Sequence, residues 1–180
     1  MFASPRLRIG AVAFAAFLGL IPLANWMIQH VGTVCLRAGP CLVPVAPGLL
    51  APSGVLTVGV ALVLRDVVQR CLGLGWGLAA IVAGTALSTL VAPGALVAAS
   101  GAAFLLSELA DFAVYTPLQR RRLVLAVLAS AALGLTIDSV VFLWLAFGSL
   151  HFLPGQIVGK LWAVAVSVPF IRLLRRVAPA

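Results

Sequence analysis

The sequence predicts an all-α, polytopic membrane protein, with six transmembrane helices forming one domain over residues 1–180 and both termini cytoplasmic. Three observations carry this expectation. The chain is 63% hydrophobic and only 9% charged, more apolar surface than a soluble domain of this size can cover. Its apolar runs last about 20 residues and follow one another almost without pause, the length a helix needs to cross a bilayer. Its arginines cluster between those runs, where they set topology. The net charge of +8 is therefore read as a membrane signal rather than a nucleic-acid footprint, and nucleic acid is not an expected partner.

The spans fall at about 9–29, 50–69, 73–91, 94–115, 122–148 and 155–174, each near the length required. Arg6 and Arg8 precede the first, "IGAVAFAAFLGLIPLANW", which is too long for a signal-peptide core and has no convincing cleavage site before Asn25. The second begins at "APSG" and carries Arg65, Asp66 and Arg70 near its far end. "GLGWG" then turns the chain into the third. Pro93 and Gly94 mark the turn into the fourth, and Pro117 is expected to stop it.

With the N-terminus inside, Arg6, Arg8, Arg65, Arg70, Arg120, Arg121, Arg122, Arg172, Arg175 and Arg176 all come to cytoplasmic ends, and the external loops keep only Arg37. An odd number of spans would spoil this pattern. Small residues such as those of "AIVAGTALSTLVAPGALVAASGAA" suit close helix packing where lipid supplies no hydrophobic drive for association. Cys35 and Cys41 share the first external loop. They are either a disulfide, if that loop faces an oxidising compartment, or two free thiols. No His/Cys spacing makes a metal site, His30 and His151 read as loop residues, and no cofactor is expected.

All four acidic residues, Asp66, Glu108, Asp111 and Asp138, fall inside or at the ends of spans, and none is in a loop. An ionisable group at the centre of a span costs roughly 2.5–3.5 kcal/mol on insertion scales unless it finds a partner or a wet cavity. Four such positions point to a polar site. In "SELADFAVY", Glu108, Asp111 and Tyr115 share one helix face, with Phe104 a turn away. Glu108 lies roughly 14 Å above Pro117, near mid-bilayer. The available cations are Lys160 and Arg65. Gln156 stands one turn before Lys160 on the same face, Asn25 adds an amide, and Trp26, Phe104, Trp162 and Phe170 supply rings. The plain alternative is structural: Asp138 pairs with Lys160, or Asp66 with Arg65 near the membrane surface, to fix helix register; the other role open to Arg65 and Asp66 is coupling, with one of the acids carrying a proton.

The stretch "FLLSELADFAVYTPLQRRR", followed by "GLTIDSVVFLWLAFGSL" and "LPGQIVGKLW", resembles the signature of the VUT family, also described as queuosine precursor transporters. The resemblance runs over nearly the whole chain, from "ANW" through "PSGVLTVGVALVLRDVVQRCLG" to the final span. Two departures stand out: the second span reads "LVLRDVVQR", and the first external loop is expanded by "CLRAGPC". The resemblance implies a six-helix inner-membrane carrier that takes up 7-deazaguanine compounds, such as the 7-cyano and 7-aminomethyl bases or queuine. The chemistry of the residues agrees. A guanine-like edge offers a ring N–H beside an exocyclic amine, which a single carboxylate accepts as a pair. Glu108 or Asp111 suits that role and Asp138 a second one. Phe104, Trp26 or Trp162 offers a stacking face, while Gln156, Asn25 or Lys160 can donate to the carbonyl.

Three other classes compete with this reading. A substrate-binding membrane subunit of a vitamin-type system would need an ATPase partner, because the chain has no phosphate-binding loop. An intramembrane enzyme using Glu108 and Asp111 lacks HExxH and any Ser or Cys nucleophile beside a base. A ligand-free structural protein would not need surplus buried carboxylates. The partners expected of the carrier are its heterocycle substrate and the lipid bilayer, with a homo-oligomer as a further option.

Overall fold

The computed structural model describes residues 4–37, 39–92 and 94–177, the side chains of residues 95, 170 and 173–177 excepted. Pro93 and the side chains of Phe170, Arg175 and Arg176 thus lie outside the described residues. The described residues form six α-helices: α1 (Pro5–His30), α2 (Val55–Leu72), α3 (Leu74–Val91), α4 (Val97–Leu118), α5 (Leu123–Phe147) and α6 (Leu153–Val177). A short 3-10 turn, Gly94–Leu96, leads into α4.

Four of the described helices, α1, α3, α4 and α5, are long and apolar enough to cross a membrane. α2 is 18 residues long and carries Arg65, Asp66 and Arg70. The distribution of residues is inverted relative to a soluble protein. Val82 and Leu90 are 69% and 80% exposed, whereas Arg65, Glu108, Asp111 and Lys160 are buried. Apolar residues outside and charges inside suit a lipid surround, in which an unpaired charge is costly and an exposed leucine is not.

Several boundaries differ from the sequence expectation for local reasons. α1 starts at Pro5, where Ser4 caps the helix by accepting a hydrogen bond from the Leu7 amide at 3.3 Å, and proline suits the first helical position because its missing N–H would have had no intrahelical partner. Gly73 alone turns the chain from α2 to α3, and the rest of "GLGWG" is helical. Pro117 does not end α4, which runs to Leu118. At the last turn proline sacrifices only one intrahelical bond.

The larger departure is between α1 and α2. Instead of an irregular loop, the chain forms a three-stranded antiparallel sheet, β1 (Val34–Cys35), β2 (Cys41–Ala46) and β3 (Leu49–Pro52). The expected start of the second span at residue 50 is therefore strand, and α2 begins at Val55. Cys35 and Cys41 face each other in the β1–β2 register and are joined by a disulfide. The sheet seats on one end of the bundle. Leu42 and Ala51 are buried, and the Ser53 hydroxyl donates to the Met27 carbonyl at 2.6 Å.

Helices α4 and α5 pack along their length, and α2 lies between α1 and α6. Two glycines set the spacing at the polar interior. A Cβ on Gly134 of α5 would stand 3.1 Å from the Asp111 Cβ, and one on Gly59 of α2 only 2.9 Å from the Lys160 carbonyl oxygen. Bare backbone at these points lets α4 and α6 bring their charged side chains to α2 and α5.

Candidate functional site

Two ionic groups occupy the interior. In the first, Arg65 of α2 reaches three carboxylates. Its Nε donates to Glu108 Oε2 at 2.8 Å, its Nη1 lies 2.9 Å from Asp66 Oδ1, and its Nη2 lies 2.8 Å from Asp111 Oδ1. Nη1 also donates to Gln69 Oε1 at 3.2 Å. The guanidinium sits over the rings of Phe112 and Tyr115, 5.7 Å and 5.9 Å from their centroids. A planar fork of five N–H donors is the side chain that can hold several carboxylates at once. Three carboxylates thus share one guanidinium.

Arg65 is 0% exposed and lies at the centre of the group. It reaches α4 because Glu108 and Asp111, three residues apart, share a face that turns toward α2. Tyr115, a turn further along, donates its hydroxyl to the Asp66 carbonyl oxygen at 3.2 Å.

In the second group, Lys160 of α6 spends its three N–H bonds on Asp138 Oδ2 at 2.5 Å, Ser139 Oγ at 2.7 Å and Gln156 Oε1 at 2.6 Å. An ammonium has three donors and no more. The pairing of Asp138 with Lys160 weighed from the sequence is therefore present, and so is that of Asp66 with Arg65. Because Gln156 accepts from Lys160 through its oxygen, its amide nitrogen is the end left to donate.

A cavity of about 90 Å³ lies between the two groups and is lined by Glu108, Asp138, Gln156, Lys160, Asn25 and Phe104. All six were singled out from the sequence. Asn25 uses an amide N–H on the Ile21 carbonyl at 3.0 Å, which leaves its oxygen as an acceptor.

Four sequence candidates, Asp111, Tyr115, Trp162 and Trp26, are not among the lining residues. Asp111 and Tyr115 are buried behind Glu108 in the Arg65 group. Trp162 is 59% exposed, and its indole N–H donates to the Val45 carbonyl at 3.2 Å, tying α6 to the sheet. Trp26 is likewise on the outside, stacked on His30 with ring centroids 5.3 Å apart. Their helices are amphipathic in the inverted sense, so an aromatic ring carries little information about which way it faces.

Sequence reasoning missed Phe142, Ser88, Ser100 and Ser107, which also line the cavity, and Ser139 and Gln69, which complete the two ionic groups. Some were findable. Phe142 lies four residues beyond Asp138, and Gln69 four beyond Arg65, on the same helical faces. The serines carry no comparable signal, because they are common packing residues in spans.

The helical bundle with its apolar exterior and buried ion pairs is that of a multi-pass membrane protein. A family model described as "Putative vitamin uptake transporter" matches residues 84–175. The chain belongs to this family of uptake transporters. The matched segment holds Glu108, Asp111, Asp138, Gln156 and Lys160, whereas Asn25, Arg65 and Asp66 lie before it. No curated protein and no solved structure matches the chain.

Proposed function

We propose that this protein is a stand-alone carrier that imports 7-deazaguanine bases, the precursors of queuosine, with Glu108 as the residue that reads the base. The observation that carries this reading is the meeting of Glu108, Gln156 and Phe104 in one cavity. A carboxylate accepts the paired N–H groups of a guanine-like edge, and the free amide nitrogen of Gln156 donates to its carbonyl. The Phe104 and Phe142 rings supply apolar faces for a flat heterocycle. Lys160, saturated by its three acceptors, acts by holding Asp138 and Gln156 in place. Asp111, Tyr115, Arg65 and Asp66 support the carboxylate from behind.

In this reading all six helices cross the inner membrane as one domain, with both termini cytoplasmic. The buried charges of α2 face neighbouring helices rather than lipid, which makes its passage through the bilayer tolerable. The Cys35–Cys41 disulfide supports an oxidising, external location for the sheet. Arg6, Arg70, Arg120, Arg121 and Arg122 gather at the other end of the bundle, the arrangement of a cytoplasmic face.

The test is uptake of labelled queuine, 7-cyano-7-deazaguanine and 7-aminomethyl-7-deazaguanine by cells without an importer of their own, with and without this protein. One base enters, and Glu108→Gln abolishes its entry while leaving the protein in the membrane. Unchanged uptake by that variant removes Glu108 from the site. Co-purification with an ATPase, and no transport by the purified protein in liposomes, would replace the carrier by a substrate-binding subunit.

A further inference from the structure

A second cavity, of about 870 Å³, opens at the end of the bundle opposite the sheet, among Arg6, Gln69, Arg70, Thr116, Gln119 and Arg121. The two cavities approach each other along the same helices. On α2 the first extends to Leu62 and the second begins at Gln69; on α4 the limits are Glu108 and Thr116. About two helical turns, roughly 10–12 Å, separate them.

That partition is the Arg65 group. Glu108 lines the first cavity and accepts from Arg65 Nε at 2.8 Å. Arg65 donates to Gln69 Oε1 at 3.2 Å, and Gln69 Nε2 donates to Thr116 Oγ1 at 3.0 Å. Gln69 and Thr116 both line the second cavity. A continuous chain of polar contacts thus runs from one cavity to the other, crossing from α4 to α2 and back. α4 packs its length against α5 and touches α2 only sparsely. The α2–α4 seam is therefore closed mainly by side chains, which can part without breaking a packed helix interface.

We propose that Glu108, Arg65, Gln69 and Thr116 form the closed gate between the two cavities, and that a ligand engaging Glu108 opens it. The reason is competition. The N–H groups of a ligand and Arg65 Nε seek the same carboxylate, so ligand engagement weakens one of the bonds joining α4 to α2. A ligand shifts a conformational equilibrium only through such differential contacts. The second cavity is then the cytoplasmic exit. This inference rests on the transport reading above and adds the route and its barrier.

The experiment places cysteines at Gln69→Cys and Thr116→Cys, with the buried free thiol of Cys71 removed as Cys71→Ser, and joins them with a short, reducible bifunctional thiol reagent. Binding and uptake of labelled 7-cyano-7-deazaguanine are measured in proteoliposomes, with the Cys71→Ser parent treated identically. Cross-linked protein binds within about twofold of the parent, loses at least about 50-fold in uptake, and regains it on reduction. Persistent uptake by fully cross-linked protein overturns the gate. So does loss of binding on cross-linking, which makes the seam part of the binding site itself. A parent that neither binds nor transports the base refutes the substrate reading instead. Should the double variant fail to reach the membrane, Gln69→Cys alone supplies the test. Its labelling by an impermeant thiol reagent from the Arg121 side rises several-fold when ligand is added, and unchanged labelling overturns the proposal.

Discussion

Arg65 Nε and Glu108 Oε2 meet at 2.8 Å although 43 residues separate them in the chain. This contact joins the two helices that carry three of the four acids, and it places the residue proposed to read the ligand in direct contact with the main buried cation. Glu108 therefore has two duties, one to the cavity and one to the bundle.

Glu108→Gln should lower uptake by at least about 100-fold, the equivalent of about 3 kcal/mol for two charge-assisted hydrogen bonds. The variant keeps the side-chain shape but presents an amide where a carboxylate accepted a pair. Initial uptake rates normalised to protein in the membrane check this. A change in KM alone of less than threefold would contradict it.

Arg65→Ala leaves Asp66, Glu108 and Asp111 buried without their cation. Removing one partner from a buried ionic group costs about 3–5 kcal/mol. The purified variant should melt well below the parent in detergent, and its amount in the membrane should fall. Arg65→Lys should lie between, because a single ammonium cannot reproduce the fork that spans α2 and α4.

Lys160→Met strands Asp138, Ser139 and Gln156 and should destabilise by about 3 kcal/mol. Adding Asp138→Asn removes the uncompensated charge, so the double variant should recover much of the lost stability. It should not recover uptake, because Gln156 is then no longer held by Lys160. Thermal melting of the two single variants and the double variant, with uptake measured in parallel, separates the two effects.

Gly134→Leu drives a side chain into Asp111 and the Ser107 carbonyl, where even a Cβ lies 3.1–3.3 Å from its neighbours. Such overpacking costs about 1–3 kcal/mol. The expected readout is a lower melting temperature, with Gly134→Ala showing a smaller drop.

Sidedness is checked by thiol labelling in intact spheroplasts. Arg37→Cys should react with an impermeant reagent from outside, and Arg121→Cys only after permeabilisation. The opposite result would invert the topology and exchange the entry and exit cavities.

Much of the site was legible in the order of residues. Glu108, Asp138, Gln156 and Lys160 stand out because charge and amide are rare among so many apolar side chains, and their helical spacing puts them on inward faces. The rings were less legible. Trp26 and Trp162 face outward, and Phe142 was passed over, because in lipid both faces of a helix tolerate an aromatic residue. The sheet of residues 34–52 was hidden for a different reason. Its strands are two to six residues long and hold prolines 40, 44 and 52 in or beside them, too short and interrupted for a periodicity to register.

Local order along the chain was enough to determine the helical class, the approximate limits of the six helices and the inward placement of the acids, since hydropathy over about 20 residues and the 3.6-residue repeat are properties of short segments. Only the tertiary structure decided which cation meets which acid. Arg65 would pair with Asp66 on local grounds, yet it also holds Glu108 and Asp111, because the packing of α4 against α5 through Gly134 turns the Glu108 face toward α2. Pairing across helices depends on their relative rotation and depth, and no short segment encodes either.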